Sequence, residues 1–407
     1  MFRRTLVLRL ALLIVPLCLT ADRSFSDDID RTDQNILART AGVIGGVTNT
    51  LTEPVLNPKA AFARWFEFNP QVEKGEKPNF NVLPLFISSP ERGQGLGVKF
   101  ARESLWKKHD VVRTHVLHTL KNKQEYRLKY EFPPHFMERW GGEFEIGFEN
   151  YQRFYYGIGR EALKENETEF TVEAFDARLP LLYQIKNHFF AGIALNFENF
   201  ALTEVGHEGI LRRELPNLIG RDGSRLYTTN FLLRWDNRDS RSDPSQGFFL
   251  EASQEYSKKL LGSETDFTRS TFEARHFFPL FRRRTHVLCF KLFMDYKNGD
   301  VPFYHLPELG GVFFNRGLIE GRFRDNLTLT GNLEYRLKIY QRLHWAFFVD
   351  AGNVYRDFIT LSSHRTKVTG GTGMRYYVPP GNLLLARVDG GYSTEGFLVY
   401  LTFDHPF

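Results

Sequence analysis

The chain has 407 residues, of which 42% are hydrophobic and 25% charged, and its 53 Lys and Arg against 48 Asp and Glu give a net charge of +5. This balance excludes an intrinsically disordered chain. After the first two dozen residues no stretch reaches the roughly 18 apolar residues of a spanning helix, which excludes an ordinary helical membrane protein. Phenylalanine alone, at 39 residues, outnumbers Met, Trp and Tyr together, and there are 33 glycines. Aromatic residues and glycine favour strands and tight turns, so the composition predicts a β-rich fold.

The first 21 residues have the pattern of a secretory signal peptide. Arg3 and Arg4 precede an apolar run at residues 6–19, and the small residue Ala21 stands before Asp22. We therefore predict an exported protein whose leader, residues 1–21, is removed.

Each of the two cysteines has its own interpretation. Cys18 leaves a lipoprotein open as an alternative, although Pro16 and Leu17 stand where a lipoprotein peptidase prefers small residues. Once the leader is removed Cys289 remains alone, so no internal disulfide can form. We interpret Cys289 as a small apolar filler on a strand.

Residues 22–79 are polar and carry few strand patterns. We predict a periplasmic N-terminal segment here, with one amphipathic helix near residues 57–68 that presents Phe62, Trp65 and Phe66 on one face. The equal alternative is a loosely ordered tail.

Residues 80–407 have a different sequence pattern, in which apolar and polar residues alternate along short segments. In residues 125–132, one parity carries Tyr126, Leu128, Tyr130 and Phe132, and the other carries Glu125, Arg127, Lys129 and Glu131. A period of two with one apolar and one polar row gives each strand one dry and one wet face. Sixteen such segments are present, at about residues 80–88, 95–103, 110–120, 124–132, 142–151, 168–180, 188–199, 225–236, 247–257, 267–277, 285–295, 328–338, 343–351, 368–378, 383–391 and 397–406.

These segments predict an all-β chain that forms a 16-stranded antiparallel transmembrane β-barrel over residues 80–407. Segments of about 9 to 12 residues suit tilted strands that cross a bilayer. Charges of both signs share the polar parity, as in a water-filled lumen, and only a closed barrel satisfies strand backbones in lipid. A soluble sandwich is the alternative that alternation alone leaves open. Short and long connections alternate, which predicts a bacterial outer-membrane location in contact with lipid. With the N-terminal segment in the periplasm, an even number of strands returns the C-terminus to the periplasm as well.

The longest connection, residues 296–327, lies between the eleventh and twelfth predicted strands and is dense in glycine and aromatic residues. Glycines let a backbone turn tightly, and Arg316 at its centre needs acceptors. Glu334 and Asp350 lie on the polar parities of the next two strands. We predict that this loop folds into the lumen, where Arg316 contacts Asp350, Glu334 or both. An acid/base pair formed by the two carboxylates is the alternative.

These motifs resemble the BamA/TamA-type outer-membrane surface-antigen barrels. Residues 315–318, Asn-Arg-Gly-Leu, match the family's Val-Arg-Gly-Phe/Tyr loop tip, and residues 331–334 and 348–352 match the two strand motifs that follow. Residues 84–97 resemble the first hairpin of stand-alone members. The family's Asp-x-Arg-Asp turn is matched by Asp236, Arg238, Asp239, Pro244 and Gly247.

The resemblance covers about residues 80–407 and implies a barrel with a lumenal loop latch. Asn315 and Leu318 depart from the apolar and aromatic neighbours that are usual for the loop arginine. Residues 22–79 are too few for a POTRA domain, so the resemblance is to a stand-alone barrel. Phe403 and Phe407 resemble the C-terminal signal that the barrel-assembly machinery recognises. The implied latch residues are Arg316, Gly317, Glu334, Asp350 and Gly352.

The resemblance implies that the protein inserts or translocates unfolded or exported client proteins at the outer membrane, without ATP or a cofactor. The family uses a weak seam, here between residues 80–88 and 397–406, and Pro84 removes one ladder donor from the first strand. A passive diffusion channel, or a surface antigen or structural partner of another chain, are the alternatives.

No hydrolase or metal-binding spacing occurs, so we predict no enzyme, metal or cofactor site. The basic run 282–284 indicates a solvated or headgroup-facing turn, and no nucleic-acid partner is expected.

Overall fold

The computed structural model describes residues 80–89, 93–103, 106, 110–120, 123–137, 139–240, 243–281, 285–340, 342–378 and 384–402. The predicted signal peptide, the segment 22–79 with its amphipathic helix, and the basic run 282–284 lie outside the described residues. Phe403 and Phe407 of the predicted C-terminal signal also lie outside them. These expectations remain predictions.

Strands make up most of the described chain, and the prediction of an all-β protein is confirmed. The strand bounds are β1 (Phe80–Ser89), β2 (Gly93–Glu103), β3 (Val111–Thr119), β4 (Gln124–Met137), β5 (Trp140–Tyr155), β6 (Thr168–Lys186), β7 (Phe189–Val205), β8 (Ser224–Asp236), β9 (Gly247–Ser257), β10 (Phe267–Pro279), β11 (His286–Gly299), β12 (Glu308–Leu309), β13 (Phe323–Arg324), β14 (Leu327–Tyr340), β15 (Leu343–Tyr355), β16 (Lys367–Val378), β17 (Leu384–Ser393) and β18 (Gly396–Thr402). One short helix, α1 (Ile210–Glu214), and 3₁₀ turns at Lys164–Asn166, Leu215–Asn217, Lys259–Leu261, Phe303–His305 and Phe358–Thr360 complete the described elements.

Several strands are longer than the alternation predicts. The expected length of about 9 to 12 residues was wrong for β5, β6 and β7, which have 16, 19 and 17 residues. Backbone pairing of β6 with β7 extends from Phe170 to Lys186, six residues past the expected end of the segment at residue 180. Ladder hydrogen bonds join backbone groups whatever the side chains are, so strand pairing extends beyond the segments that the alternation delimits.

Sixteen of the described strands form one antiparallel sheet in chain order, except that β11 pairs with β14 across the long connection. β12 and β13 form a separate two-stranded ribbon within that connection. β1 pairs with β2 along its whole length, from Phe80 to Ser89. The strand order also returns to its start, because β1 pairs with β18 at the single position Ser88↔Leu401.

The two faces of the sheet are opposite in character to those of a water-soluble protein. Leu333 on β14 is 45% exposed, whereas its neighbour Glu334 is fully buried. Likewise Phe290 and Leu292 on β11 are exposed and Lys291 between them is buried. We call these the apolar face and the polar face. Around Lys291 and Glu334 the burial comes from the long connection, which packs against the polar face there.

Residues 300–326, between β11 and β14, carry apolar side chains onto the polar face. Phe303 and Tyr304 pack in a buried cluster with Tyr155, Phe170 and Phe200 of β5, β6 and β7. A second cluster joins residues 309, 318 and 323 of the segment to Val354 of β15. These two clusters fix both halves of the segment, which we call the 300–326 segment. No helix among the described residues is long and apolar enough to cross a membrane.

Candidate functional site

Arg316 lies at the centre of the 300–326 segment and inserts into the polar face of the sheet. Its Nε and Nη2 donate to the two carboxylate oxygens of Asp350 on β15, each at 2.8 Å, and its Nη1 donates to Glu334 Oε2 on β14 at 2.5 Å. The backbone N–H of Arg316 adds a bond to Asp350 Oδ2 at 3.1 Å. Its guanidinium carbon lies 3.5 Å from the centre of the Phe348 ring. The structure therefore brings together the arginine and both predicted carboxylates.

Glu334 is shared among three guanidinium groups. Besides Arg316, it accepts from Arg336 Nε at 2.9 Å and from Arg375 Nη2 of β16 at 2.8 Å. Arg375 also donates to Asp389 Oδ1 of β17 at 2.5 Å. All of these side chains are almost completely buried. Because charges removed from water must compensate one another, this group acts as one coupled network across β14 to β17.

The network continues towards the end of the sheet through Arg387 of β17. Its Nε lies 3.2 Å from Asp389 Oδ2 and donates to Thr402 Oγ1 of β18 at 3.1 Å. The charged network thus extends from the 300–326 segment to the last described residue of the sheet.

Gly317, the next residue along the chain, contacts the last two strands. Its φ of +106° lies in the left-handed region, and a Cβ on it would lie 3.2 Å from the carbonyl carbon of Gly391 in β17. Ser393 Oγ donates to Gly317 O at 2.7 Å, and Gly317 N donates to Tyr400 Oη of β18 at 3.3 Å. The Tyr400 hydroxyl in turn donates to Leu318 O at 3.0 Å. Residues 316–318, which we call the tip of the segment, are therefore bonded to the final hairpin as well as to β14 and β15.

The two departures from the family pattern have clear roles in the structure. Asn315 replaces an apolar residue, and its amide donates to Lys367 O at 3.1 Å and accepts from Thr369 Oγ1 at 2.7 Å, both on β16. Leu318 is buried in the apolar cluster with Leu309. Gly352 supports the same cluster, since a Cβ there would lie 2.6 Å from Leu309 Cδ1.

Two further arginines of the segment were not singled out by the sequence. Arg322 Nε donates to Glu395 Oε2, in the turn between β17 and β18, at 2.8 Å, and its Nη1 donates to Ala162 O at 3.0 Å. Arg324 Nη2 donates to Phe154 O at 2.7 Å. The only signal in the sequence was the density of arginines in residues 316–324, and this density does not identify their partners.

The predicted turn motif forms a separate site between β8 and β9. Arg238 donates to Asp236 through Nε and Nη2, both at 2.9 Å, and lies over the Phe249 ring. Asp239 accepts from the backbone N–H of residues 245 and 246. Pro244 is buried, and Gly247 has a φ of +110° in a place where a Cβ would lie 2.6 Å from Asn237 O. These contacts shape a turn and do not join the Arg316 network.

The geometry favours charge pairing over proton transfer. Both Glu334 and Asp350 are already engaged by guanidinium groups, so the acid/base alternative has no free carboxylate there. No group of three or more His, Cys, Asp or Glu residues in the described part of the chain is arranged to hold a metal ion. Cys289 is buried on the polar face beside Phe277 and Val287. What this arrangement does chemically is hold the 300–326 segment against the polar face by charge-assisted hydrogen bonds.

Comparisons with known proteins agree with this architecture. The profile of the Omp85 superfamily domain matches residues 92–386. BamA from Haemophilus ducreyi lacking POTRA domains 1–3 is 14% identical with a TM-score of 0.58, covering 81% of this chain and 70% of that one. CdiB from Acinetobacter baumannii is 12% identical with a TM-score of 0.53, covering 80% and 60%, and CdiB from Escherichia coli is 10% identical with a TM-score of 0.57, covering 82% and 62%. At these identities the likeness shows the fold alone, and the chain spans about three fifths of each CdiB. No curated relative matches the sequence.

Proposed function

The chain belongs to the Omp85 superfamily, and from this membership we propose that it assists the insertion or translocation of other proteins at the bacterial outer membrane. The observation that carries the proposal is the contrast at the edge of the sheet. β1 pairs with β2 from end to end but with β18 at one position among the described residues. A strand edge with unused backbone donors and acceptors is a template on which another chain can pair.

We place the sheet in the membrane as a 16-stranded barrel with the 300–326 segment in its lumen and both termini in the periplasm. The exposed rows of Phe, Leu, Val and Trp on the apolar face support this placement. Apolar area costs about 25 cal/mol per Å² in water, and lipid removes that cost. The opposed charges of the polar face suit the interior of such a barrel.

In this proposal, Arg316, Gly317, Glu334, Asp350 and Gly352 form a latch for the segment. The latch also stabilises the final hairpin, because Tyr400 and Ser393 bond to the segment's backbone. β18 is therefore supported from within the lumen and by β17, while among the described residues it pairs with β1 only at Ser88↔Leu401. A client strand that pairs at this seam would gain ladder hydrogen bonds without displacing the latch.

The energy for such a step comes from the client itself. Each strand that joins the edge satisfies its own backbone groups and then transfers its apolar side chains to lipid, so neither ATP nor a cofactor is required. The proposed partners are outer-membrane lipid, unfolded or exported clients, and the barrel-assembly machinery during the protein's own biogenesis.

A disulfide across the seam tests the proposal. Ser88→Cys with Leu401→Cys places two thiols at a directly paired position of antiparallel strands, where the Cα atoms are about 4.5 to 5.5 Å apart, within the range of Cα separations that a disulfide spans. We expect the oxidised variant to lose client insertion into vesicles and to recover it with reductant. The matched control is Tyr392→Cys with Phe397→Cys, a paired position inside the final hairpin, and oxidation there should leave insertion unchanged. Normal insertion by the sealed seam would rule the mechanism out.

A passive diffusion channel is the second candidate, and one observation favours it. On the polar face of β4 and β5, Lys129 and Glu143 form an ion pair at 2.8 Å with side chains that are 29% and 34% exposed, so that part of the wall is accessible to water. Planar-bilayer conductance discriminates between the two functions. A large steady current that persists in Arg316→Ala supports a channel, whereas a current that appears only in Arg316→Ala indicates that the latch normally blocks the lumen.

A further inference from the structure

The connection between β9 and β10, residues 258–266, presents two leucines to the surroundings. Leu260 is 96% exposed and Leu261 is 54% exposed. Both follow a pair of exposed lysines, Lys258 and Lys259. Leu260 therefore buries almost no apolar area within the chain itself, and Leu261 buries less than half of its surface.

The turn that carries these leucines is firmly held in place. Lys259 N donates to Asp266 Oδ1 at 2.9 Å across the turn. The Ser263 hydroxyl accepts from Tyr227 N at 2.9 Å and donates to Tyr227 O at 2.8 Å, which fixes the turn to β8. Gly262 closes the turn with a φ of +96°. The exposure of the leucines is therefore a consequence of a defined backbone.

The turn packs beside the apolar face of the sheet, against the ring of Tyr227. A Cβ on Gly262 would lie 3.3 Å from Cδ2 of Tyr227, so its backbone packs on that ring. The Tyr227 side chain belongs to the exposed apolar row of β8, together with Phe231, and Tyr256 of β9 lies beside them. The leucines thus continue an apolar surface that begins on the strands.

We propose that residues 258–262 form a membrane anchor that inserts into the interface of the leaflet at this end of the barrel, a role that rests on the proposed membrane placement of the sheet. Leu260 and Leu261 would enter the acyl region beside the Tyr227 ring. Lys258 and Lys259 extend their ammonium groups to the phosphates of anionic lipids, because long basic side chains can bury their stems and keep their charge at the headgroups. Aromatic residues at the same level are typical of a membrane–water interface.

Two acidic residues of the same connection, Glu264 and Asp266, offset the formal charge of the lysines, but each is tied to the backbone. Glu264 accepts a hydrogen bond from Arg225 N at 3.1 Å, and Asp266 accepts from the turn backbone. Both carboxylates therefore have local backbone donors, while the two lysines and both leucines remain at the exposed end. The partner whose chemistry fits this arrangement is an anionic lipid surface.

Nitroxide labels at single introduced cysteines test the anchor in the full chain. Cys289 is buried and Cys18 lies in the predicted leader, so the unmodified protein serves as the labelling blank. The variants are Leu260→Cys, Phe231→Cys on the apolar face of β8, and Asp222→Cys, whose side chain is 89% exposed in the β7–β8 connection. The protein is reconstituted in vesicles of phosphatidylcholine with phosphatidylglycerol, and relaxation by oxygen and by a water-soluble nickel chelate is compared at each label.

We expect the ratio of oxygen to nickel accessibility to be several-fold higher at positions 260 and 231 than at 222. A water-like ratio at 260 with a lipid-like ratio at 231 overturns the anchor and leaves the membrane barrel intact. Water-like ratios at both positions contradict the membrane placement itself. Adding Lys258→Gln and Lys259→Gln should make the 260 label shallower in these vesicles but not in phosphatidylcholine alone. An equal change in both lipids would contradict the role of the lysines.

Discussion

Two ionic arrays line the polar face of the sheet, and they differ in what covers them. On β3 to β5, the pairs Arg113–Glu131 and Lys129–Glu143 have about a quarter to a third of their side-chain surface exposed. On β14 to β17, the array around Glu334 is almost completely buried beneath the 300–326 segment. The same alternating sequence pattern generates both arrays.

The burial of an array by the 300–326 segment determines how much that array contributes to stability. An exposed ion pair is screened by water and salt, and its net effect is about 0 to 1 kcal/mol. A buried charge that loses its partner costs about 3 to 5 kcal/mol, because it stays in a medium of low polarity. We therefore expect identical substitutions to have very different effects on the two arrays, and each experiment below tests that difference.

The largest effect is expected for Glu334→Gln. This change removes the carboxylate that Arg316, Arg336 and Arg375 share and leaves three buried guanidinium groups with too few acceptors. We expect a loss of about 3 to 5 kcal/mol in the free energy of unfolding, measured by urea titration of the folded form on unheated gels. Glu143→Gln is the matched control in the exposed array and should cost less than about 1 kcal/mol. Equal losses in the two variants would show that burial beneath the 300–326 segment does not determine how much an ion pair contributes to stability.

Asp350→Asn should affect the 300–326 segment more than the barrel. Among the described residues Arg316 is the only cation within ion-pair distance of Asp350, whereas Glu334 retains two other guanidinium partners. We expect a folded barrel in which protease cleavage within residues 300–326 rises about a hundredfold, equivalent to roughly 3 kcal/mol.

Arg316→Ala should behave in the same way, with cleavage confined to the segment. Arg238→Ala removes a similar Arg–Asp pair from the β8–β9 turn and should leave cleavage of the segment unchanged. If neither latch variant increases cleavage, the segment is held by its apolar clusters alone.

A double-mutant cycle on Lys129→Gln and Glu143→Gln should give a small coupling energy that depends on salt. We expect about 0.2 to 1 kcal/mol at low ionic strength and nothing measurable near 1 M salt, where the screening length is about 3 Å. The buried pair Arg375 and Asp389 should keep its coupling under the same conditions. If the coupling energy of the exposed pair does not change with salt, the pair lies in an environment that excludes water and ions.

The smallest effect concerns His305 in the 300–326 segment. Burial is the main cause that lowers its pKa well below the ordinary 6.5, and the nearby cations Lys297 and Arg153 lower it further, against the opposing charge of Glu255. Glu198 also lies close, with its carboxylate 3.3 Å from His305 Nε2. A lowered folded pKa means that the segment's full stability is present above about pH 6.5 and is lost as the pH falls towards the folded pKa. Hydrogen exchange of residues 300–306 should rise modestly at acidic pH, and His305→Gln should abolish that rise.

The alternation of the sequence was sufficient for the approximate strand positions and for the contact of Arg316 with Glu334 and Asp350. Arg316, Glu334 and Asp350 could be named because parity places both carboxylates on the polar face, although parity alone does not establish their role. The partners Arg375 and Asp389 could not be named, since their contact depends on the register between β16 and β17. Likewise, nothing in the spacing showed that the Tyr400 hydroxyl reaches Leu318, 82 residues earlier in the chain.

The hydrogen bonds at Gly317 have a consequence for the order in which the molecule assembles. Arg316 and Gly317 precede every residue to which they are bonded, first Glu334, then Asp350, and finally Ser393 and Tyr400. The tip can acquire its first partners while the chain is still incomplete, but it acquires its last ones only after the final strand has joined. The complete set of hydrogen bonds at Arg316 and Gly317 can therefore form only after the last strand of the sheet has joined.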